Sequence, residues 1–284
     1  MTTAEHRSPV GGGHLVPVHG APCWVHLMSR NLQAAQDFYA DVLGWRFRQG
    51  SLGDEFCVAL DGGRPVAGMA QLSDRLRGAV AWTPYFAVDS ADDVAARVRE
   101  RGATVAVGPL QFGTGRAALA ADRDGAVFGV WEGQTLRWSV GHGSAPVFLE
   151  LRTRDAFAAA IFYAEIFDWA TTEPGGCDVT YEHDQVIVRQ ERHLVAAVRG
   201  GGVEEAPDPH MRPRWHVHFR VRDVEAVMSA AVAAGGAVRS TAPVAGGSGR
   251  RAVICDHEGA LFTVTDAAQE QVHEQASVAD GGGR

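Results

Sequence analysis

The chain writes one eight-residue stretch twice, and that duplication limits its possible folds more than any other feature. Phe38-Tyr39-Ala40-Asp41-Val42-Leu43-Gly44-Trp45 returns as Phe162-Tyr163-Ala164-Glu165-Ile166-Phe167-Asp168-Trp169. Phe, Tyr, Ala and Trp stand at matching places, and the acidic and aliphatic positions are kept in kind. Further matches follow in the same order. Tyr85-Phe86-Ala87-Val88 answers His218-Phe219-Arg220-Val221, Gly115-Arg116 answers Gly249-Arg250, and the run Asp122 to Phe128 answers Asp256 to Phe262 as Asp-x-x-Gly-Ala-x-Phe. A long collinear repeat means that the two halves are copies of one unit. With 284 residues there is room for two modest domains.

Each octapeptide reads as the end of an amphipathic helix. Ala35, Phe38, Tyr39 and Val42 recur at three- and four-residue spacing, as do Ala159, Phe162, Tyr163 and Ile166. Asn31 and Asp155 stand where an N-cap is wanted, and Gly44 where the first helix should stop. The Phe-Tyr pairs are expected to be core and nothing more. Before each helix lies an alternating strand, and after it come three strand-like runs. The pattern occurs four times, from Trp24, Pro84, Val147 and Trp215. A strand-helix-strand-strand-strand unit covers one sheet face with its helix and leaves the other bare, so two units share that face around a cleft. The expected fold is α+β: four βαβββ modules in two domains, each a curved eight-stranded mixed sheet with flanking helices. The expected bounds are a loose tail over 1–20, a first domain over 21–133, a linker over 134–145, a second domain over 146–266 and a tail over 267–284.

Composition narrows the function. A net charge of -8 and the lack of a basic cluster argue against a nucleic-acid partner, because neutralising phosphates needs a cationic face. Cys23, Cys57, Cys177 and Cys255 form no C-x-x-C pair, so reduced buried thiols are expected rather than a zinc clip or a disulfide scaffold. No run is long and apolar enough for a signal peptide or a membrane span, which predicts a cytoplasmic protein. Monomer and homodimer both remain open. Gly246-Gly247-Ser248-Gly249 lacks the Lys-Ser/Thr of a phosphate loop, and no serine sits in a G-x-S-x-G frame.

Strand alternation sorts the faces. Val25, Leu27, Leu149, Leu151, Val217, Phe219 and Val221 share the side expected under the helices. The opposite side carries Trp24, His26, Met28, Thr83 and Tyr85 in the first half, with Trp131 nearby. In the second half it carries Phe148, Glu150, Arg152, His216, His218 and Arg220. The first cleft is therefore expected to be aromatic and the second polar.

The four modules resemble the βαβββ units of the vicinal oxygen chelate superfamily, which holds glyoxalase I, extradiol dioxygenases and the bleomycin- and fosfomycin-resistance proteins. Trp24-Val25-x-Leu27, Trp215-His216-Val217-x-Phe219 and the two Asp-x-x-Gly-Ala-x-Phe runs are similar to tandem glyoxalase-like proteins of high-GC bacteria. The resemblance covers residues 21 to 266 and speaks for fold more than chemistry. Metal-dependent members carry a His or Gln early in each opening strand and a Glu in each closing strand. By register those places fall on Trp24, Gly68, Thr83 and Gly129, then on Phe148, Ala197, His216 and Thr263. Only His216 offers a metal donor, so no standard metal site and no cofactor are expected. One non-standard set stays open for a divalent metal: His216, His218 and Glu150, two imidazoles and a carboxylate as non-haem iron uses.

Two function classes follow, both with a small molecule as partner. In the leading one the chain is a metal-independent enzyme. There His216, His218 and Glu150 move protons, while Phe148, Arg152 and Arg220 hold the substrate. In the other it is a binding protein that sequesters a planar ligand through Trp24, His26, Tyr85 and Trp131, as the resemblance to resistance proteins implies. A metal-dependent oxygenase or lyase at the non-standard set is a third reading.

Overall fold

A computed structural model describes residues 19–50, 53–72, 80–135, 146, 148–169, 177–182, 185–190, 193–200, 212–244 and 249–266. Most of the expected linker, most of both tails and Gly246 to Ser248 lie outside them. The first half runs β1 (Pro22–Ser29), α1 (Leu32–Leu43), β2 (Arg46–Gly50), β3 (Gly53–Asp61), β4 (Arg64–Gln71), β5 (Trp82–Val88), α2 (Ala91–Glu100), β6 (Thr104–Phe112), β7 (Gly115–Ala121) and β8 (Val127–Glu132). The second half repeats it as β9 (Phe148–Arg152), α3 (Ala156–Phe167), β10 (Cys177–Glu182), β11 (Gln185–Gln190), β12 (His193–Arg199), β13 (Arg214–Val221), α4 (Val224–Ala233), β14 (Ala237–Pro243), β15 (Arg250–Cys255) and β16 (Leu261–Asp266).

Each half forms one eight-stranded mixed sheet, in the orders β2-β3-β4-β1-β5-β8-β7-β6 and β10-β11-β12-β9-β13-β16-β15-β14. The opening strands pair antiparallel at the middle of each sheet, β1 with β5 and β9 with β13. Each also runs parallel to the closing strand of its own module. The centre of each sheet is thus built by strands from both of its modules, and residues of the two modules meet there.

The helices start where the side chains can cap them. Asn31 Oδ1 accepts from Ala34 N at 3.1 Å, and Asp155 Oδ1 accepts from Phe157 N and Ala158 N at 3.0 Å, caps worth about 0.5–2 kcal/mol each. Gly44 ends α1 in the left-handed region at φ 71°, and Asp168 takes the same conformation after α3 at φ 51°. Asp tolerates that region better than most residues, and Arg97 Nη1 holds its carboxylate at 2.7 Å. Val25, Leu27, Leu149, Leu151, Val217 and Phe219 are buried, as alternation predicts.

The helix-bearing sides of the two domains face each other, α1 against α4 and α2 against α3. Trp45, Trp82 and Phe219 meet edge to face there, and Phe86 packs against Phe167 and Trp215. The expectation that the Phe-Tyr pairs are core and nothing more is corrected at this interface. Tyr39 Oη donates to Asp256 Oδ2 at 3.1 Å and accepts from Trp82 Nε1 at 3.0 Å. Its counterpart Tyr163 donates to Asp122 Oδ2 at 3.0 Å and accepts from Trp215 Nε1 at 3.0 Å. The other oxygen of each aspartate closes its own turn, Asp122 Oδ1 on the amides of Asp124 and Ala126, and Asp256 Oδ1 on those of Glu258 and Ala260. The next acid along reaches across as well. Glu258 accepts from Ser29 Oγ at 2.5 Å and from the amides of Arg30 and Asn31, while Asp124 accepts from Thr153 Oγ1 at 2.7 Å. The two repeated motifs are therefore the two sides of one contact, made twice.

Candidate functional site

With the helix sides turned together, the concave face of each sheet is left for chemistry. On the first face, β1 contributes Trp24 and His26, β5 contributes Tyr85, β8 contributes Trp131 and β3 contributes Phe56. All five rings are half-buried. His26 stacks on Phe56 at 5.7 Å between ring centroids and meets Tyr85 edge-on at 6.3 Å. Trp24 lies directly across from Tyr85, and Tyr85 across from Gly129.

The rings lie flat because glycines lie beneath them. A Cβ on Gly129 would stand 2.3 Å from Tyr85 Cδ1, and one on Gly68 would stand 2.7 Å from Trp24 Nε1 and 2.8 Å from His26 Cδ2. Gly115 makes the same room for the Trp131 ring, with a Cβ falling 2.4 Å from Cζ2. No side chain fits where these rings rest. His26 Nε2 is buried without a hydrogen-bond partner among the described residues. Burial holds its pKa down at about 4, so the imidazole is neutral at pH 7.

The second face is charged. Glu150 and His218, 3% exposed each, approach at 3.2 Å between Oε2 and Nε2. Phe148 stacks on the His218 ring at 4.1 Å. Glu150 Oε1 is 2.8 Å from Arg152 Nε and 3.5 Å from Arg199 Nε. Burial alone would raise the Glu150 pKa, but His218, Arg152 and Arg199 outweigh it and hold the carboxyl at about 2. Burial also lowers the pKa of His218, against the pull of Glu150. The state this environment favours at pH 7 is an anionic Glu150 beside a neutral His218. His216 turns instead to Arg214, whose Nε donates to His216 Nε2 at 3.0 Å. Burial first, then the charge of Arg214, keep it neutral down to about pH 3.

Of the residues expected in the clefts, Trp24, His26, Tyr85 and Trp131 share the first face and Phe148, Glu150, Arg152 and His218 meet on the second. Arg220 is exposed farther along β13, two residues beyond His218. Phe56, Arg199 and Arg214 escaped the sequence reading. Arg199 and Arg214 carried a usable signal, since each sits two residues from a position already placed on the face, Ala197 and His216. Phe56 had none, because its place depends on the pairing of β3 with β4.

The same arrangement bears on relatives. Residues 21–130 match the model of the Glyoxalase/Bleomycin resistance protein/Dioxygenase superfamily, and residues 147–265 match that of a glyoxalase-like domain. The anthracycline biosynthesis protein DauV of Streptomyces sp. (strain C5) is 32% identical over 270 residues, covering 87% of this chain and 93% of that protein. The chain belongs to this superfamily. The putative glyoxylase CFP32 of Mycobacterium bovis is 29% identical over 265 residues, 89% of this chain and 97% of that one.

Among solved structures of the superfamily, the Mn(II)-bound glyoxalase from Novosphingobium aromaticivorans superposes with a TM-score of 0.56 at 16% identity, covering 88% and 83% of the two chains. A 2,2',3-trihydroxybiphenyl 1,2-dioxygenase from Sphingomonas wittichii strain RW1 gives 0.56 at 13%, covering 88% and 91%. At such identity the likeness speaks for the fold alone. The places where superfamily members bind metal do not fit one here. Trp24, Gly68 and Gly129 belong to the aromatic floor and its glycines, Thr83 offers only a buried hydroxyl, and in the second domain only His216 bears an imidazole, which accepts from Arg214. Among the described residues no group of three His, Cys, Asp or Glu side chains could hold a metal ion, the set His216, His218 and Glu150 included. No described helix is long and apolar enough to cross a membrane.

Proposed function

We propose that this superfamily member binds a planar aromatic small molecule on the concave face of its first sheet. The observation that carries this reading is the ring-on-glycine floor: Trp24, Tyr85 and Trp131 laid on Gly68, Gly129 and Gly115. A flat ligand gains about 0.5–1.5 kcal/mol from each ring it stacks on, beyond the area it buries. His26 Nε2 adds one polar contact at the centre, accepting from a phenol or donating to a quinone carbonyl according to its tautomer. The 32% identity to proteins named for anthracycline biosynthesis supports the same ligand class, since an anthracycline carries a fused, planar ring system.

The test is calorimetric titration with 1,4-dihydroxyanthraquinone. Saturable binding is expected, weakened about tenfold or more by Trp24→Ala and by Tyr85→Ala and untouched by Glu150→Gln. Binding that ignores both aromatic substitutions overturns the proposal.

A second reading, proton transfer in the second domain, is favoured by the buried 3.2 Å contact of Glu150 with His218. A carboxyl held near pKa 2 is a poor base, so Glu150 would orient His218, and His218 would take the proton. Conversion of the bound molecule, followed by mass spectrometry, should stop in His218→Gln. Conversion that persists removes this reading.

A further inference from the structure

The outer strand of the first sheet brings two arginines to the rim of the aromatic face. In the strand register Arg48 of β2 lies across from Val58 of β3, Val58 from Gly68 of β4, and Gly68 from His26 of β1. Residues opposite one another on neighbouring strands point to the same side. Arg48 therefore shares the face of His26, and so does Arg46, two residues earlier. Both are exposed, and among the described residues neither guanidinium has an ion-pair or hydrogen-bond partner. The rest of the row is uncharged, since Val58 and Gly68 carry no charge and burial keeps His26 neutral at pH 7. From β1 to β2 is three strand spacings, about 14 Å, a span that an arginine side chain and a fused-ring ligand resting on Trp24 and His26 cover together.

The aromatic floor itself reaches that strand. A Cβ on Gly50 of β2 would stand 2.6 Å from Phe56 Cε1, and one on Gly68 would stand 3.3 Å from Phe56 Cε2. The Phe56 ring thus rests over glycines of β2 and β4, and on its inner side it stacks on His26. Charge on an edge strand discourages pairing with another sheet, but that duty does not fix its sign. In the second sheet the outer strand β10 has Thr180 at the place of Arg48, across from Ile187 and then Ala197, and Asp178 at the place of Arg46. The fold accepts a neutral and an acidic residue at these places, so the two cations belong to the aromatic face and not to the demands of the sheet.

We propose that the planar ligand of the first face is an acid, held by Arg48 and Arg46 through a carboxylate at its outer end. This rests on the aromatic-binding reading above and adds the charge of the ligand and its direction. A guanidinium presents parallel N–H groups that match the two oxygens of a carboxylate. The ring system lies on the floor with its uncharged end toward Trp131, and the carboxylate points to β2. The contact is at the rim, where it confers selectivity between ligands and is weakened by salt.

The experiment is calorimetric titration of the whole chain with anthraquinone-2-carboxylate and with its neutral counterpart anthraquinone-2-carboxamide, at low ionic strength. The carboxylate is expected to bind tighter by about fivefold or more, an advantage that shrinks as salt is raised. In Arg46→Gln/Arg48→Gln the two ligands should bind alike, with affinity for the carboxamide unchanged. Should the double variant lose the carboxamide as well, Arg48→Glu decides, since there the carboxylate must become the weaker ligand. Equal binding of the two by the natural chain, an advantage that survives the double variant, or a carboxylate still preferred by Arg48→Glu overturns the assignment and leaves the aromatic reading standing. Binding of neither ligand by the natural chain overturns both.

Discussion

If the rings of the first cleft lie flat because glycine lies beneath them, a single methyl group at Gly129 should have a sign that depends on Tyr85. The added Cβ would meet Tyr85 Cδ1 and Cε1 at 2.3 Å and Cζ at 2.6 Å. Carbon atoms rest at about 3.5–4.0 Å, so the ring must retreat by more than about 1 Å. Forced repacking of that kind costs about 1–3 kcal/mol. The backbone adds no strain, because Gly129 is not among the positive-φ glycines. In a Tyr85→Ala background the clash disappears. Only the entropic gain of replacing glycine in a strand remains, about 0.4–1 kcal/mol in favour of alanine. Gly129→Ala is therefore expected to destabilise the natural chain and to stabilise the Tyr85→Ala variant; the entropic gain is common to both backgrounds, so the coupling in a double-mutant cycle read by urea denaturation is the repacking cost itself, about 1–3 kcal/mol. A ligand that stacks on Tyr85 should bind more weakly to Gly129→Ala as well. Equal costs in the two backgrounds would refute the ring-on-glycine account.

Two further outcomes follow from the geometry. Tyr39→Phe and Tyr163→Phe each strip the partner from one oxygen of a buried aspartate and from a tryptophan N–H, so each should cost about 1–3 kcal/mol in urea denaturation, and the two should cost alike. Stability should also fall in two steps as pH drops. His26 and His216 titrate near 6.5 when unfolded but only at about 4 and about 3 when folded, so the unfolded chain takes up protons first and stability declines below about pH 6.5. Glu150, held at about 2 against its ordinary 4.5, adds a contribution that is complete above pH 4.5 and is lost as pH falls toward 2. Glu150→Gln should flatten only that lower step in denaturation curves taken from pH 7 to 2, while His26→Phe should shrink only the upper one.

The architecture was legible because it rests on two local signals, repetition and alternation. The octapeptide and the Asp-x-x-Gly-Ala turn fixed the register of four modules, and parity assigned Trp24, His26, Glu150 and His218 to the concave faces. Contacts whose partners come from different modules were not legible. Nothing near Tyr39 in sequence announces Asp256, 217 residues away, and a reading confined to one module leaves that tyrosine as plain core. The same blindness hid Arg199, which is unremarkable on its own strand and meets Glu150 only when β12 and β9 are laid side by side. Likewise Gly68 and Gly129 read in sequence as failed metal positions, when their meaning is the space they give to a ring on the neighbouring strand.

The two clefts show how duplicated sheets can part company without disturbing the fold. The inward faces and the Tyr-Asp contacts answer to packing in both copies, and there the halves still match. The concave faces are free of that packing demand, and there the halves differ at most positions. Trp24 stands where the second copy has Phe148, His26 where it has Glu150, Met28 where it has Arg152, and Tyr85 where it has His218. The first aromatic position is kept, so both clefts retain one flat wall. The next two positions turn an apolar floor into an ionic one, and the partner strand follows, with Gly68 and Ala70 answered by Ala197 and Arg199. Burying Glu150 is tolerable only because Arg152 and Arg199 arrived with it, since an unpaired buried carboxylate would cost several kcal/mol. Those changes are coupled, because the carboxylate and the two guanidiniums that pair with it can replace His26, Met28 and Ala70 only as a set.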